Sequence, residues 1–375
     1  MAGPPPQIAR ARTAVRAALL QRLTDLADRT NHALHDDQAD ASARIIVGLS
    51  GGADSTALLA TAVWCARKLG LSTHAVIIDH GLADDSASVA ERARTTAERV
   101  GADQVTVRRV QVDRDAPGGV EQSARTARLD ALDEIADATG ALAVLLGHTL
   151  DDQAEQVLLG LARGSGARSL AGIPRERGRI LRPFLGTGRD ETTGLWRKDT
   201  RAICDQLDLD IWDDPMNEDQ DLLRVAVRTA ALPQLQEVLG EHVTSALVRT
   251  ADLLRDDADV LDDLAAEEFT AARRHPSAED PDGTVLALSA TALAPLARAL
   301  RTRVLKLAAV EAARLGGHPS DKSILRRQVL AADSLLSAYR GQGPIPLPGR
   351  IDVHRSNGAI LFVTTHPAAT QRRPS

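Results

Sequence analysis

Residues 50–55 read Ser-Gly-Gly-Ala-Asp-Ser; they follow a short apolar run at 44–49 and precede a helical pattern at 57–69. In that setting the hexapeptide is a device for holding pyrophosphate. Gly51 and Gly52 let the backbone approach phosphate oxygens and take turns barred to other residues. Successive N–H groups through Ala53, at a helix N-terminus, present partial positive charge. Ser50 and Ser55 add hydroxyl donors. Asp54 cannot meet phosphate without a cation between them, so its natural task is to hold Mg²⁺ bridging the phosphates of ATP. The loop is not a Walker A sequence, because no Gly-Lys-Ser/Thr ending follows. A kinase needs that lysine, whereas release of pyrophosphate as a unit needs only the cradle. An ordinary Gly-rich turn is the alternative.

A second constellation lies downstream. Asp151, Asp152 and Glu155 open a helix, where carboxylates oppose the positive end of the dipole. Asp152 and Glu155 are three apart and share a face. Such acids can attract a cationic amine and accept its proton, although capping alone would account for Asp151. His148, just before them, could position a nucleotide, relay a proton or serve as a structural hydrogen-bonding residue. Asp79 and His80 end another apolar run at 74–78 and would line the nucleotide pocket or cap its turn. Arg125 is the candidate for charge building on an α-phosphate. The segment 163–182 carries Arg163, Arg168, Arg175, Arg177, Arg179 and Arg182 against one acid, Glu176, with four glycines. Read as a loop, it could grip nucleic-acid phosphates together with Arg224 and Arg228. A solvated basic loop is the alternative.

These groups need a scaffold. Apolar runs at 44–49, 74–78, 105–112 and 141–146 alternate with helical patterns at 57–69, 86–100, 121–139 and from 151 onward. Such alternation predicts a doubly wound α/β fold, a parallel sheet covered on both faces. Ligands of such folds bind at the carboxyl edge of the sheet, where the loop and the acids both fall. The expected organisation is an N-terminal helix within 1–40, a catalytic domain over 41–216 and a smaller, mostly helical unit over 217–365. That unit would hold helices at 224–239, 243–272, 290–315 and 322–337, then short strands at 350–354 and 359–363. Residues 366–375 read as a disordered tail.

Composition narrows the classes. A net charge of −6 does not by itself demand a nucleic-acid partner, and 2% aromatic residues leave little for base stacking. Lysine occurs at only four positions, so most cationic sites offer the planar fork of arginine. Cys65 and Cys204 form no CxxC pair or metal-ligand spacing and read as reduced thiols of a cytoplasmic protein. No apolar run approaches the ~20 residues that span a bilayer, and the N-terminus lacks a signal-peptide core.

The loop at 50–55 resembles that of the ATP-pyrophosphatase (PP-loop) superfamily, and other segments are similar to one branch of it, the tRNA(Ile)-lysidine synthase family. They are Asp79-His80-Gly81-Leu82, the Glu121…Arg125…Arg128 helix and Gly147-His148-Thr149-Leu150-Asp151-Asp152-Gln153-Ala154-Glu155. Arg163-Gly164-Ser165-Gly166, Leu170-Ala171-Gly172-Ile173 and Arg182-Pro183-Phe184-Leu185 continue the likeness, followed by Asp214-Pro215-Met216-Asn217 with Arg224 and Arg228. Ala83, Leu129, Met216 and Val225 stand where the family usually has Arg, Tyr, Ser and Asn. The resemblance covers 44–235 well and the remainder loosely. It implies that ATP adenylates the C2 oxygen of the wobble cytidine of a tRNA(Ile) with a CAU anticodon. The ε-amine of free L-lysine then displaces AMP. It also implies Mg²⁺ at Asp54, lysine at Asp151, Asp152 and Glu155, and allows a homodimer. A tRNA thiolase, an ammonia-using ligase and a non-catalytic nucleotide-binding module are the rivals. A thiolase would need cysteine pairs or a cluster, which two isolated cysteines do not supply.

Overall fold

The structure is a computed structural model that describes residues 3–32, 43–82, 85–113, 119–164, 166–187, 193–214, 223–320 and 324–365. The chain forms two compact units, Met1–Arg255 and Asp256–Ser375. The first contains α1 (Pro6–His32), β1 (Arg44–Gly48), α2 (Ala53–Leu69), β2 (Ser72–Asp79), α3 (Ser86–Val100) and β3 (Gln104–Arg109). It continues with α4 (Gly119–Thr139), β4 (Ala143–Leu145), α5 (Leu150–Ala162), α6 (Ala167–Leu170), β5 (Glu176–Arg177) and β6 (Ile180–Leu181). After a 3-10 turn at Pro183–Leu185 come α7 (Arg197–Gln206), α8 (Leu223–Ala226), α9 (Leu232–Leu239) and the start of α10 (Val243–Ala272).

The six strands lie in the order β3-β2-β1-β4-β6-β5, parallel except for the β5–β6 pair. The apolar run of β1 is buried on both faces, as a central parallel strand requires. Its alternation sorts the two cores. Ile45 and Val47 join Leu58 and Ala62 of α2 and Val15 and Leu19 of α1, while Ile46 joins Leu132 and Ala136 of α4 and Val144 of β4. Strand β1 pairs with β2 on one side and β4 on the other, so the chain leaves their carboxyl ends in opposite directions. The crevice opened at that switch point is the ligand position of such sheets. It receives both the 50–55 loop and Gly147-His148.

The α/β expectation is met strand by strand. Other expectations are corrected. The basic segment 163–182 is not a plain loop, because Leu181 of β6 pairs in parallel register with Leu145 and so extends the sheet. Two of its arginines are committed inside the fold. Arg175 donates from Nε to the Gly186 carbonyl at 3.0 Å and from Nη2 to Asp252 at 2.6 Å. Arg182, 4% exposed, donates to the Pro174 carbonyl at 2.8 Å. The boundary expected at 216/217 moves to 255/256, since Arg224, Arg228, Asp252 and Arg255 all bond back to residues 155–175 of the first unit. The N-terminal helix is no separate piece. Ala11, Val15 and Leu19 are buried in the main core, and Arg10 reaches Asp199 at 2.6 Å.

The helix expected over 224–239 is interrupted by a π turn at Val227–Ala231. Pro233 explains it: proline has no N–H for the carbonyl of Thr229, and its ring crowds that carbonyl. The turn widens, as such segments do at functional sites.

The second unit contains the end of α10, then β7 (Arg273–Arg274), β8 (Thr284–Ser289), α11 (Ala290–Leu293), α12 (Arg298–Leu315) and α13 (Arg326–Ser337). Strands β9 (Ile345–Leu347), β10 (Ile351–Ser356) and β11 (Ala359–Thr364) close it. Its antiparallel sheet runs β7-β8-β11-β10-β9, with Leu286, Ile351, Val353 and Phe362 packed against α12 and α13 residues such as Val304, Ala308 and Leu335. Strands β7, β8 and β9 were not foreseen, and the helix expected at 290–315 is two helices.

Gly147 is a tight joint between backbone segments of the first unit. A Cβ there would lie 2.9 Å from the carbonyl carbon and oxygen of Asp54 and 3.0 Å from the Ser55 nitrogen, all backbone. Gly147→Ala should therefore cost on the order of 2–3 kcal/mol in urea unfolding. Gly166→Ala, where nothing lies within 4 Å and φ is −77°, should stay within about 0.5 kcal/mol of the parent.

Candidate active site

The 50–55 loop is shaped by its own hydroxyl and backbone groups. Ser50 N–H donates to Ser55 Oγ at 3.1 Å, and Ser55 Oγ donates to the Gly52 carbonyl at 3.1 Å. Gly51 takes φ +87°, a conformation that L side chains rarely adopt. Gly52 is the N-cap of α2 with no side chain over it, so the first N–H groups of that helix are left for a ligand. The Trp212 N–H donates to the Gly51 carbonyl at 2.9 Å and pins the loop from outside.

Asp54 stands in the first turn of α2 and faces α7. The Thr200 hydroxyl donates to its Oδ1, and Arg197 Nε lies 3.6 Å from its Oδ2. Burial raises its pKa to about 6, with Asp152 adding repulsion and Thr200 and Arg197 only partly offsetting it. A half-buried carboxylate left short of positive charge beside a phosphate cradle fits a divalent cation. Among the described residues, no group of three His, Cys, Asp or Glu side chains could hold a metal alone. That suits Mg²⁺, which completes its shell with water and phosphate oxygens.

The acids of α5 are all engaged. Asp152 accepts from the Thr149 N–H at 2.8 Å and from Arg197 Nη2 at 2.7 Å. Glu155, with no exposed surface, accepts from Arg197 Nη1 at 2.9 Å and from Arg228 Nε at 2.9 Å, with Arg224 Nε at 3.6 Å. Asp151 accepts the backbone N–H of Arg197 at 2.7 Å and so caps α7. Burial raises the Asp151 pKa. Burial acts in the same direction on Asp152, but Arg197 and His148 outweigh it and hold the carboxyl below its usual value. Arg197 itself is held more firmly protonated than usual: burial opposes this, and Asp152 and Glu155 prevail.

Across the cavity, α4 presents Arg125 and Arg128, one helical step apart. Burial, then Arg125 and Arg224, lower the proton affinity of Arg128, whose Nε is buried without a partner. His148 sits among them with its pKa pushed down to about 3 by burial, helped by Arg182, Arg128 and Arg125 and opposed by Asp152. It is a neutral imidazole at neutral pH. Asp79 is taken up in its turn, accepting from the Gly81 N–H and from Arg109, both at 2.9 Å, and His80 lines the cavity beside it. Cys65 and Cys204 are buried, their thiols pushed up by desolvation to about 11 and about 12, so neither is a ready thiolate.

One cavity of about 730 Å³ thus brings together Ser50, Asp54, Arg125, His148, Asp152 and Arg228, a volume within the usual range for small ligands. Of the arginines expected to meet RNA, Arg224 and Arg228 line this cavity, while Arg163 and Arg168 are exposed on the surface. Arg175 and Arg182 are turned inward, Arg175 onto the Gly186 carbonyl and Asp252 and Arg182 onto the Pro174 carbonyl. Ser165 and the Pro215-Met216-Asn217 run lie outside the described residues, as does the 366–375 tail. Arg197 and Thr200 were missed. Their only sequence signal was an arginine and a threonine three apart near a helix start, which reads as an ordinary solvated face.

Comparison with known proteins places this geometry. The PP-loop domain family matches residues 22–235. A tRNA(Ile)-lysidine synthase of Leifsonia xyli subsp. xyli is 46% identical over 325 residues, 87% of this chain and 90% of that protein. One of Thermobifida fusca is 42% identical over 361 residues, covering 96% and 99%. Among solved structures, a U34-tRNA thiolase of Methanococcus maripaludis aligns with TM-score 0.49 at 15% identity, over 66% of this chain and 80% of that one.

Asp54 separates chemistry from scaffold. Its folded pKa is raised, so the folded state holds the proton more tightly between pH 3.8 and about 6, and ionisation above that window works against folding. Asp54→Asn should therefore keep or raise the melting temperature at pH 7.5, while pyrophosphate release falls by about 100-fold or more. For the parent, kcat/KM should fall as pH drops through about 6, the pKa of Asp54.

Proposed function

The chain belongs to the tRNA(Ile)-lysidine synthase family of PP-loop enzymes, and from that premise we propose that it joins free L-lysine to the wobble cytidine of a tRNA(Ile) bearing a CAU anticodon, at the expense of ATP. The observation that carries the reading is that the pyrophosphate loop and Asp152 of α5 line one cavity, and a single side chain, Arg197, spans from Asp54 to Asp152 and Glu155.

In the first step the C2 oxygen of cytidine attacks the α-phosphorus of ATP, and pyrophosphate leaves into the 50–55 loop. The free N–H groups of α2 and the Ser50 hydroxyl hold it there. Asp54 would hold Mg²⁺, which supplies neutralisation of the phosphate charge. Arg125, with Arg128, faces the α-phosphate side of the cavity and offsets charge as it develops. Neutral His148 contributes a hydrogen bond rather than charge.

In the second step the ε-amine of lysine attacks C2 and AMP leaves. Free lysine is mostly protonated at neutral pH, so the site must attract an ammonium and then take a proton from it. The two tasks fall to different acids. Asp152, held low, stays ionised and attracts; Asp151, raised by burial, is the better acceptor. Glu155 anchors the arginines around them. Exposed Arg163 and Arg168 serve as tRNA-phosphate contacts at the surface, with Arg224 and Arg228 nearer the reacting base. A cytoplasmic setting and a homodimer belong to the same reading. Among the described residues no helix is long and apolar enough to cross a membrane.

Radiolabelled lysine, ATP and Mg²⁺ are supplied with a tRNA(Ile) transcript carrying CAU, beside a matched transcript with U at the wobble position. Label on the first alone is the expected outcome. Label on neither, with the protein folded and ATP bound, would overturn the lysine assignment.

A further inference from the structure

The guanidinium of Arg197 uses each of its three nitrogens on a different carboxylate: Nη2 on Asp152 at 2.7 Å, Nη1 on Glu155 at 2.9 Å and Nε towards Asp54 at 3.6 Å. Two of these, Asp152 and Asp54, are the carboxylates that the proposed chemistry assigns to incoming cations, the substrate ammonium and the metal. We propose that Arg197 is a tethered stand-in for those cations, which holds the acid site closed until the phosphates of ATP give its guanidinium another partner.

Three features support this. The first is space: a primary ammonium that pairs with Asp152 from the cavity must take the position Nη2 now fills. The second is mechanical. Arg197 is the first residue of α7, and its backbone N–H is fixed by Asp151 at 2.7 Å, so the side chain can swing on an anchored pivot. A cation at that helix end is disfavoured by the dipole, so its place depends on the carboxylates alone. The third is that the carboxylates keep other support when Arg197 leaves. Glu155 retains Arg228 at 2.9 Å, and Asp152 retains the Thr149 N–H at 2.8 Å.

The consequence is positive coupling between ATP and lysine. In the parent, lysine must expel a guanidinium that has nowhere else to go; with nucleotide present, the phosphates beside Asp54 receive it. The inference rests on lysine being the amine substrate, and its test keeps the two apart.

Lysine affinity is measured by calorimetry with and without α,β-methylene-ATP and Mg²⁺, for the parent, Arg197→Gln and Arg197→Lys. In the parent, the analogue should tighten lysine binding by about tenfold, a typical coupling between linked sites. Arg197→Gln should bind lysine without nucleotide as tightly as the parent does with it, and its coupling should fall below about twofold. Arg197→Lys, which keeps the charge but loses the fork, should retain part of the coupling and guards against a folding defect in the Gln variant. Coupling undiminished in Arg197→Gln, or lysine binding lost there while the protein melts as the parent does, overturns the stand-in. No lysine binding by the parent in either state overturns the amine assignment, and the stand-in falls with it.

Discussion

Glu155 has no exposed surface and sits among arginines, and the arrangement of the site follows from that one buried carboxyl group. An isolated charge at such depth would cost several kcal/mol, and removing one partner of a buried pair typically costs about 3–5 kcal/mol. Arg197 from α7 and Arg228 from the π turn converge on the same oxygen of Glu155. Two segments far apart in sequence are thereby drawn onto α5. Each brings a further contact: α7 carries Thr200 to Asp54, and the π turn carries its neighbour α8, with Arg224, to Gln156. The assignment of residues 223–255 to the first unit follows from the same need, since the carboxylate cannot be satisfied from within α5.

The sheet supplies what ion pairs cannot, a fixed distance between loop and acids. Both hang from adjacent parallel strands, β1 and β4, whose register is held by Ile45↔Ala143, Ile46↔Val144 and Val47↔Leu145. The absence of a side chain at Gly147 lets the end of β4 touch the backbone of Asp54, so the two catalytic segments are in van der Waals contact at their roots. A guanidinium can therefore span from one to the other. Wider spacing would need a longer reach than arginine has, and closer spacing would clash at that glycine.

Much of this was legible in the sequence because it obeys local rules. Helices α3 and α10 fall at the residues their periodicity marks, and the runs of β1, β2 and β4 are apolar because both of their faces are covered. The phosphate loop shows itself because glycines and hydroxyls between strand and helix serve a purpose that does not depend on the rest of the chain. What was not legible depends on distant partners. Arg197 is one arginine among many in an Arg-rich chain, and only the fold sets it against Asp54, 143 positions earlier. Arg175 and Arg182 looked like RNA contacts for the same reason, since nothing local reveals that Asp252 and the Pro174 carbonyl await them. The strands β5 and β6 have two residues each, too few to show a period. The boundary inside α10 was invisible because the helix runs through it without a break in pattern.

The cavity has two electrostatic walls, and their separation is itself a constraint on the chemistry. On the α4 side Arg125 and Arg128 repel each other, and the proton affinities of Arg128 and Arg182 are lowered by burial and by neighbouring arginines. Arg182 falls to about 10, so it remains charged at neutral pH, and the wall stays positive. On the α5 side the acids are neutralised by residues of α7 and the π turn. If the positive wall were free to relax towards the acids, the two would cancel and leave a site with no preference for either phosphate or amine. They do not, because α5 and α4 leave the sheet on opposite sides of the switch point, and the acids are already occupied. An anion is therefore drawn to one side of the crevice and a cation to the other, with the reacting centre between them. For the reaction proposed above, in which one crevice receives a triphosphate and an ammonium, that division would keep the two from pairing, and it is present before any substrate binds.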